Sequence, residues 1–129
     1  FDTNVLLSST LWDRSVAQKL LRKMVLNEIT IYSSHEILEE YQKVLQRDFQ
    51  YSKNEINEIM TILLSFLKLA HSEEKVQIVK GDPDDNKIIE CALASASEYV
   101  ITYDKHLLDL RKSKGIKIIT PEEMLKLFS

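Results

Sequence analysis

Three acidic residues in this chain stand in or just after expected strands or at a turn that opens a helix. Asp2 follows Phe1 in what reads as the opening strand. Asp104 comes almost directly after Tyr99-Val100-Ile101-Thr102, and Asp85 starts a helix after the Asp82-Pro83 turn. In open α/β sheets, ligand sites form outside the carboxyl ends of the strands. Carboxylates gathered at such a place must either raise one another's pKa or hold a cation. With oxygen donors alone the fitting cations are Mg²⁺ and Mn²⁺. Taken singly each acid has a plainer role, Asp85 and Asp104 as helix N-caps and Asp2 in an Asx-turn. As a set they are harder to explain without a positive counter-charge.

A fourth acid, Glu40, can be examined by helix arithmetic, which leaves it open between a cleft and a solvated helix edge. At about 100° per residue, Ile37, Leu38, Tyr41, Val44 and Leu45 define one apolar face of a helix. Glu36 and Glu39 point well away from that face, and Glu40 lies at its border, from which it can reach a cleft at a sheet edge. Glu39 and Lys43 have the spacing of a solvent salt bridge. Other chemistries lack their parts. The single cysteine, Cys91, and the scattered His35, His71 and His106 make no zinc pattern, and two glycines cannot build a glycine-rich phosphate loop. Metal-held phosphate chemistry is what remains.

These residues need elements to hold them. The sequence predicts an opening strand that begins upstream of Phe1, then a helix from about Trp12 to Asn27 carrying Leu20, Leu21, Met24 and Val25. Ile29 to Tyr32 reads as a strand, and Ser33-Ser34 caps a helix to about Arg47. Ser52 with Glu55 forms a capping box for a helix reaching Ala70, and Val76 to Val79 reads as extended. A turn at Gly81 to Asp85 opens a helix to about Ser97, and Tyr99 to Thr102 is a strand. A helix follows from Asp104 to about Lys112, then a strand at Ile116 to Ile119, and a last helix capped by Thr120. Alternating strands and helices imply parallel βαβ units with helices on both faces of the sheet. The expected fold class is α/β, a three-layer α/β/α arrangement around a central parallel sheet.

Length and composition agree with one domain over residues 1–129. At 44% hydrophobic and 29% charged residues the chain can bury a core. No apolar run approaches the ~20 residues of a membrane span, and cysteine usage fits a reducing cytoplasm. Lys and Arg number 17 against 20 Asp and Glu, a net charge of −3. Nucleic acid is therefore not held by bulk charge, although metal ions on four of the acids would leave the remainder near neutral.

Phe1-Asp2-Thr3-Asn4-Val5, Ser34 followed by Glu40, Asp82 to Ala92 and Val100 to Leu108 together resemble the PIN-domain nucleases. The resemblance runs over essentially the whole chain. It is nearest to the prokaryotic branch of toxin components of toxin–antitoxin pairs, related to VapC-type toxins. It implies a metal-dependent endoribonuclease whose acidic quartet is Asp2, Glu40, Asp85 and Asp104. Within the Asp-rich turn, Asp85 is the member because it stands three residues before Ile88 as the family pattern requires, with Asp84 a neighbour. Asn4 and Thr102 match polar positions that orient acids or water. The implied cofactor is Mg²⁺ or Mn²⁺, and the implied products carry a 5′-phosphate and a 3′-hydroxyl.

The expected partners are RNA, a protein antitoxin and a second copy of the chain. The segment Ser52 to Ala70 bears on the last two, because Ile62, Leu64, Phe66 and Leu69 lie off the stripe made by Ile56, Ile59, Met60, Leu63 and Leu67. Competing readings are weaker. An aspartyl-phosphate phosphotransferase wants an Asp two residues after the first, where Asn4 stands. A receiver-like domain wants a late lysine, and Lys105 sits beside the wrong acid. A PIN-like module that binds RNA or protein without cleaving is the main alternative.

Overall fold

The structure, a computed structural model, describes the backbone of residues 1–71, 83–113 and 115–128, and the side chains of these except 83–85 and 112–113. The expected strand at Val76 to Val79 and the Gly81-Asp82 half of the turn lie outside the described residues.

The first helix is not announced by any amphipathic stripe. α1 (Thr3–Leu11) buries Val5, Leu6, Leu7 and Ser9 around most of its circumference, and a helix buried all round shows no polar face. Its hydroxyls are tolerated inside because they bond back to the preceding turn: Ser9 Oγ donates to the Leu6 carbonyl at 2.9 Å and Thr10 Oγ1 to the same oxygen at 2.8 Å. Asp2 is the N-cap of α1, its carboxylate accepting from Val5 N–H at 2.8 Å. Asp2 therefore belongs to a helix start and not to the body of a strand.

α2 (Val16–Leu26) starts later than its hydrophobic period suggests. Ser15 Oγ accepts from Gln18 N–H at 3.0 Å, and Arg14 turns the chain with φ 66°, so Trp12 to Ser15 form the bend between α1 and α2. Ala17, Leu20, Leu21 and Met24 make the buried stripe. β1 (Ile31–Ser33) and α3 (His35–Phe49) follow as expected, with Ser34 Oγ accepting from Ile37 N–H at 3.2 Å.

α4 (Lys53–Leu64) opens with the expected capping box of Ser52 and Glu55. It stops at Leu64, short of Ala70. Residues Leu67–Leu69 form β2, parallel to β1 with Ile31 opposite Leu67 and Ser33 opposite Leu69. Phe66 and Leu69 are thus not on the helix, and Phe66 packs against the core. The long apolar segment is two elements: pairing with β1 satisfies the backbone of its last residues, which helix period alone does not reveal.

α5 (Pro83–Ala94) leads to β3 (Tyr99–Ile101). Asp104 caps α6, a single turn over Lys105–Leu108, and the chain then turns at Arg111 (φ 53°) into β4 (Lys112–Ser113). The expected helix to Lys112 is cut short because β4 pairs antiparallel with β5 (Ile116–Ile119). Gly115, at φ +84°, makes the turn between them in a region open to glycine. α7 (Pro121–Lys126) closes the chain with Pro121 in its first turn and a capping box from Thr120 and Glu123.

The described strands fall into two ladders, β1 with β2 and β3-β5-β4, with β3 and β5 parallel. Alternation along β3 sends Val100 and Ile101 into different clusters. Val100 joins Ile88, Ile89 and Leu107 of α5 and α6, and Ile101 joins Val5, Leu20 and Met124 of α1, α2 and α7. Helices therefore cover both faces of the β3–β5 pair. A cleft of about 440 Å³ separates β1 from β3, lined by residues 29–32 on one wall and 98–101 on the other, with Phe1 beside it. Among the described residues no helix is long and apolar enough to cross a membrane.

Candidate active site

Asp2 and Asp104, 102 positions apart in the numbering, meet through one hydroxyl at the carboxyl end of β3. Asp2 is fixed first by its backbone, whose N–H donates to the Ile101 carbonyl at 3.1 Å. Thr102 is fully buried and continues β3, its N–H donating to the Ile119 carbonyl at 3.0 Å. Thr102 Oγ1 accepts from Asp104 N–H at 2.9 Å and donates its own proton to Asp2 Oδ2. Asp2 Oδ1 is occupied by the cap bond to Val5. Asp104 spends Oδ1 on the N–H groups of His106 at 2.8 Å and Leu107 at 3.4 Å. Each acid thus has one oxygen tied to a helix start, which fixes its orientation.

The electrostatics follow from burial. Asp2 is 6% exposed, and loss of water is the largest reason its carboxyl titrates above the usual range. The bonds from Thr102 and Val5 work against that rise, and the charge of Asp104 adds to it. A buried carboxylate next to a second one is favoured by a nearby cation. The donors at the junction are all oxygen, with no thiol or imidazole, which suits Mg²⁺ or Mn²⁺.

Glu40 sits where helix arithmetic puts it. It is half-buried on α3, whereas Glu36 and Glu39 are exposed. Glu39 pairs with His35 at 3.1 Å, in place of the expected Lys43. Glu40 itself receives the Lys87 ammonium from α5. Asp84 and Asp85 lie on the first turn of α5, with side chains outside the described residues, and Asp82 is wholly outside them. Asn4 is exposed on the first turn of α1. Among the described residues no group of three or more His, Cys, Asp or Glu side chains gathers as a metal site. The part of the quartet that the described side chains bring together is Asp2 with Asp104.

Three further residues escaped the sequence reading. Thr3 Oγ1 and Ser33 Oγ are buried without a hydrogen-bond partner among the described residues, at the start of α1 and the carboxyl end of β1; such an orphan costs about 1–3 kcal/mol. Lys87 is the third. Its signal was present, since a lysine between Asn86 and Ile88 interrupts an otherwise buried run.

The class defined by this fold and site is an α/β domain with two acidic residues at the carboxyl end of a strand, the carboxylate of Asp2 and the backbone N–H of Asp104 both bonded to the Thr102 hydroxyl. Residues 1–106 match the family model described as PIN domain, and the chain belongs to that family. Proteins of this family are generally metal-dependent nucleases, so the chain has a nuclease-type function in the general sense. It is 30% identical over 139 residues to the uncharacterized protein MJ1680 of Methanocaldococcus jannaschii, an alignment spanning 98% of this chain and 88% of that protein.

Proposed function

We propose that this protein is a Mg²⁺- or Mn²⁺-dependent endoribonuclease and the toxin of a toxin–antitoxin pair, acting in the cytoplasm as a single domain over residues 1–129. The supporting observation is the junction in which the Thr102 hydroxyl binds the Asp2 carboxylate and the Asp104 backbone N–H, so that the charge of Asp104 is felt at Asp2. Asp2, Glu40, Asp85 and Asp104 are the catalytic and metal-holding acids, with Asn4, Asp84 and Thr102 in support. The two ladders are read as parts of one three-layer α/β/α arrangement around a parallel sheet.

A divalent ion held by these acids would supply an activated water and would offset charge on the phosphate. The chain's own part is to orient. Thr102 holds Asp2 Oδ2 by its hydroxyl, and the α1 and α6 caps keep both carboxylates from rotating. No side-chain nucleophile is required. The test is hydrolysis of single-stranded RNA with and without Mg²⁺ or Mn²⁺. Cleavage that requires the ion, together with a rise in Tm on adding it, is the expected result. Asp104→Asn should blunt that rise. Binding of RNA with no cleavage under any divalent ion would favour the second reading, a PIN-like RNA- or protein-binding module, for which the engagement of Glu40 by Lys87 speaks.

The proposed protein partners are a second copy of the chain and an antitoxin. Ile62 and Leu64 of α4 are 64% and 48% exposed, and Leu69 of β2 is 57% exposed, which is apolar surface suited to an interface. Sedimentation velocity of the wild-type chain at micromolar concentration should show a dimer boundary. A single monomer boundary would remove the homodimer from the proposal.

A further inference from the structure

The Lys87–Glu40 ion pair joins α5 to α3 across 47 positions of sequence. It is not a loose surface pair. The Lys87 side chain is 14% exposed and that of Glu40 33%. An ammonium so far removed from water persists only with a charge partner. A lysine is also a compact point charge on a flexible stem, able to leave one oxygen and find another without backbone movement. The carboxylate it holds is the one member of the quartet among the described side chains that already carries a cation in this structure.

We infer that Lys87 is a positioning residue that stands in for the divalent ion on Glu40: it neutralises the carboxylate when the site is empty and yields it when Mg²⁺ or Mn²⁺ binds. The inference rests on the proposed membership of Glu40 in the metal-holding quartet. An ammonium and a divalent ion cannot both hold Glu40 at full strength, since each draws on the same charge and like charges at one carboxylate repel. Binding of the ion therefore includes breaking the Lys87 contact. Lys87 weakens the site for metal while it stabilises the metal-free fold by neutralising the half-buried Glu40 carboxylate. A strut between α3 and α5 would do only the second of these.

The two roles separate in a direct measurement of Mn²⁺ binding to the full chain, with free Mn²⁺ read by electron paramagnetic resonance. Lys87→Met should tighten Mn²⁺ binding about five- to tenfold and lower the Tm of the metal-free protein. In a Glu40→Gln background the same change should leave Mn²⁺ binding unaltered, because the carboxylate that Lys87 competes for is gone. Lys87→Gln, which keeps a donor for Glu40, serves if the methionine variant does not fold, with tightening again expected. Wild-type binding with no tightening in a folded Lys87 variant overturns this inference alone and leaves a strut. Equal tightening with and without Glu40 also overturns it, making Lys87 a general nearby charge. Absence of Mn²⁺ binding by the wild type overturns both this inference and the metal-dependent reading of the site.

Discussion

Asp2→Asn is expected to lower kcat for RNA hydrolysis by about 10³-fold or more, the scale of losing a principal charge-stabilising group, while raising the Tm of the metal-free protein. Asparagine keeps the cap, since its Oδ1 can still accept from Val5 N–H. What it removes is a buried negative charge beside Asp104. Burial foremost lifts the Asp2 carboxyl above its ordinary 3.8, and that sets the sign of the pH dependence. With the folded value above the unfolded one, the unfolded chain ionises first as pH rises. The wild type then loses stability from about pH 4 up to the raised folded value and gains nothing beyond it. The two proteins should melt alike at acid pH and diverge in favour of the variant toward neutrality. About 3 °C would correspond to roughly 1 kcal/mol in a chain of this size. A variant less stable than the wild type at pH 7 without metal would show that the hydrogen bonds to Asp2 outweigh its burial. An active variant would remove Asp2 from the site.

The second large effect concerns two neighbouring leucines. Leu63→Ala should cost about 2–5 kcal/mol, whereas Leu64→Ala should cost under about 1 kcal/mol. Leu63 is 1% exposed and packs into the larger core cluster, and Leu64 is 48% exposed at the last position of α4. Urea unfolding checks this through the midpoint at constant slope. Equal costs would mean that Leu64 is covered in solution, which would itself support an interface on that side of α4. The proposed dimer and the core thus give opposite readings from one pair of substitutions.

Much of the secondary structure was written locally. Ser34, Ser52 with Glu55, and Thr120 with Glu123 each close bonds within three residues. A cap of that reach is visible in the sequence because both partners stand in one short window. The strands Ile31–Ser33, Tyr99–Ile101 and Ile116–Ile119 were legible for a similar reason, as short β-branched or aromatic runs between turns. The border position of Glu40 needed only the helical period. Asp104 could be placed at an element boundary from its neighbours alone, whereas Asp2 was read into a strand and proved to cap α1.

Tertiary structure decided the rest. α1 has no polar face to mark it, since Val5, Leu6 and Ser9 are all buried by elements distant in sequence. Leu67–Leu69 left the helix because β1 offered its backbone a partner about 36 residues away, and no propensity within the segment records that offer. The bridge from Asp2 through Thr102, and the hold of Lys87 on Glu40, join residues 100 and 47 positions apart. Residue type and local period state what a side chain can do and which way its element presents it. Which carboxylate accepts from the Thr102 hydroxyl, and which one is given a lysine, depends on how the helices and strands pack, because those contacts form only when the chain closes on itself.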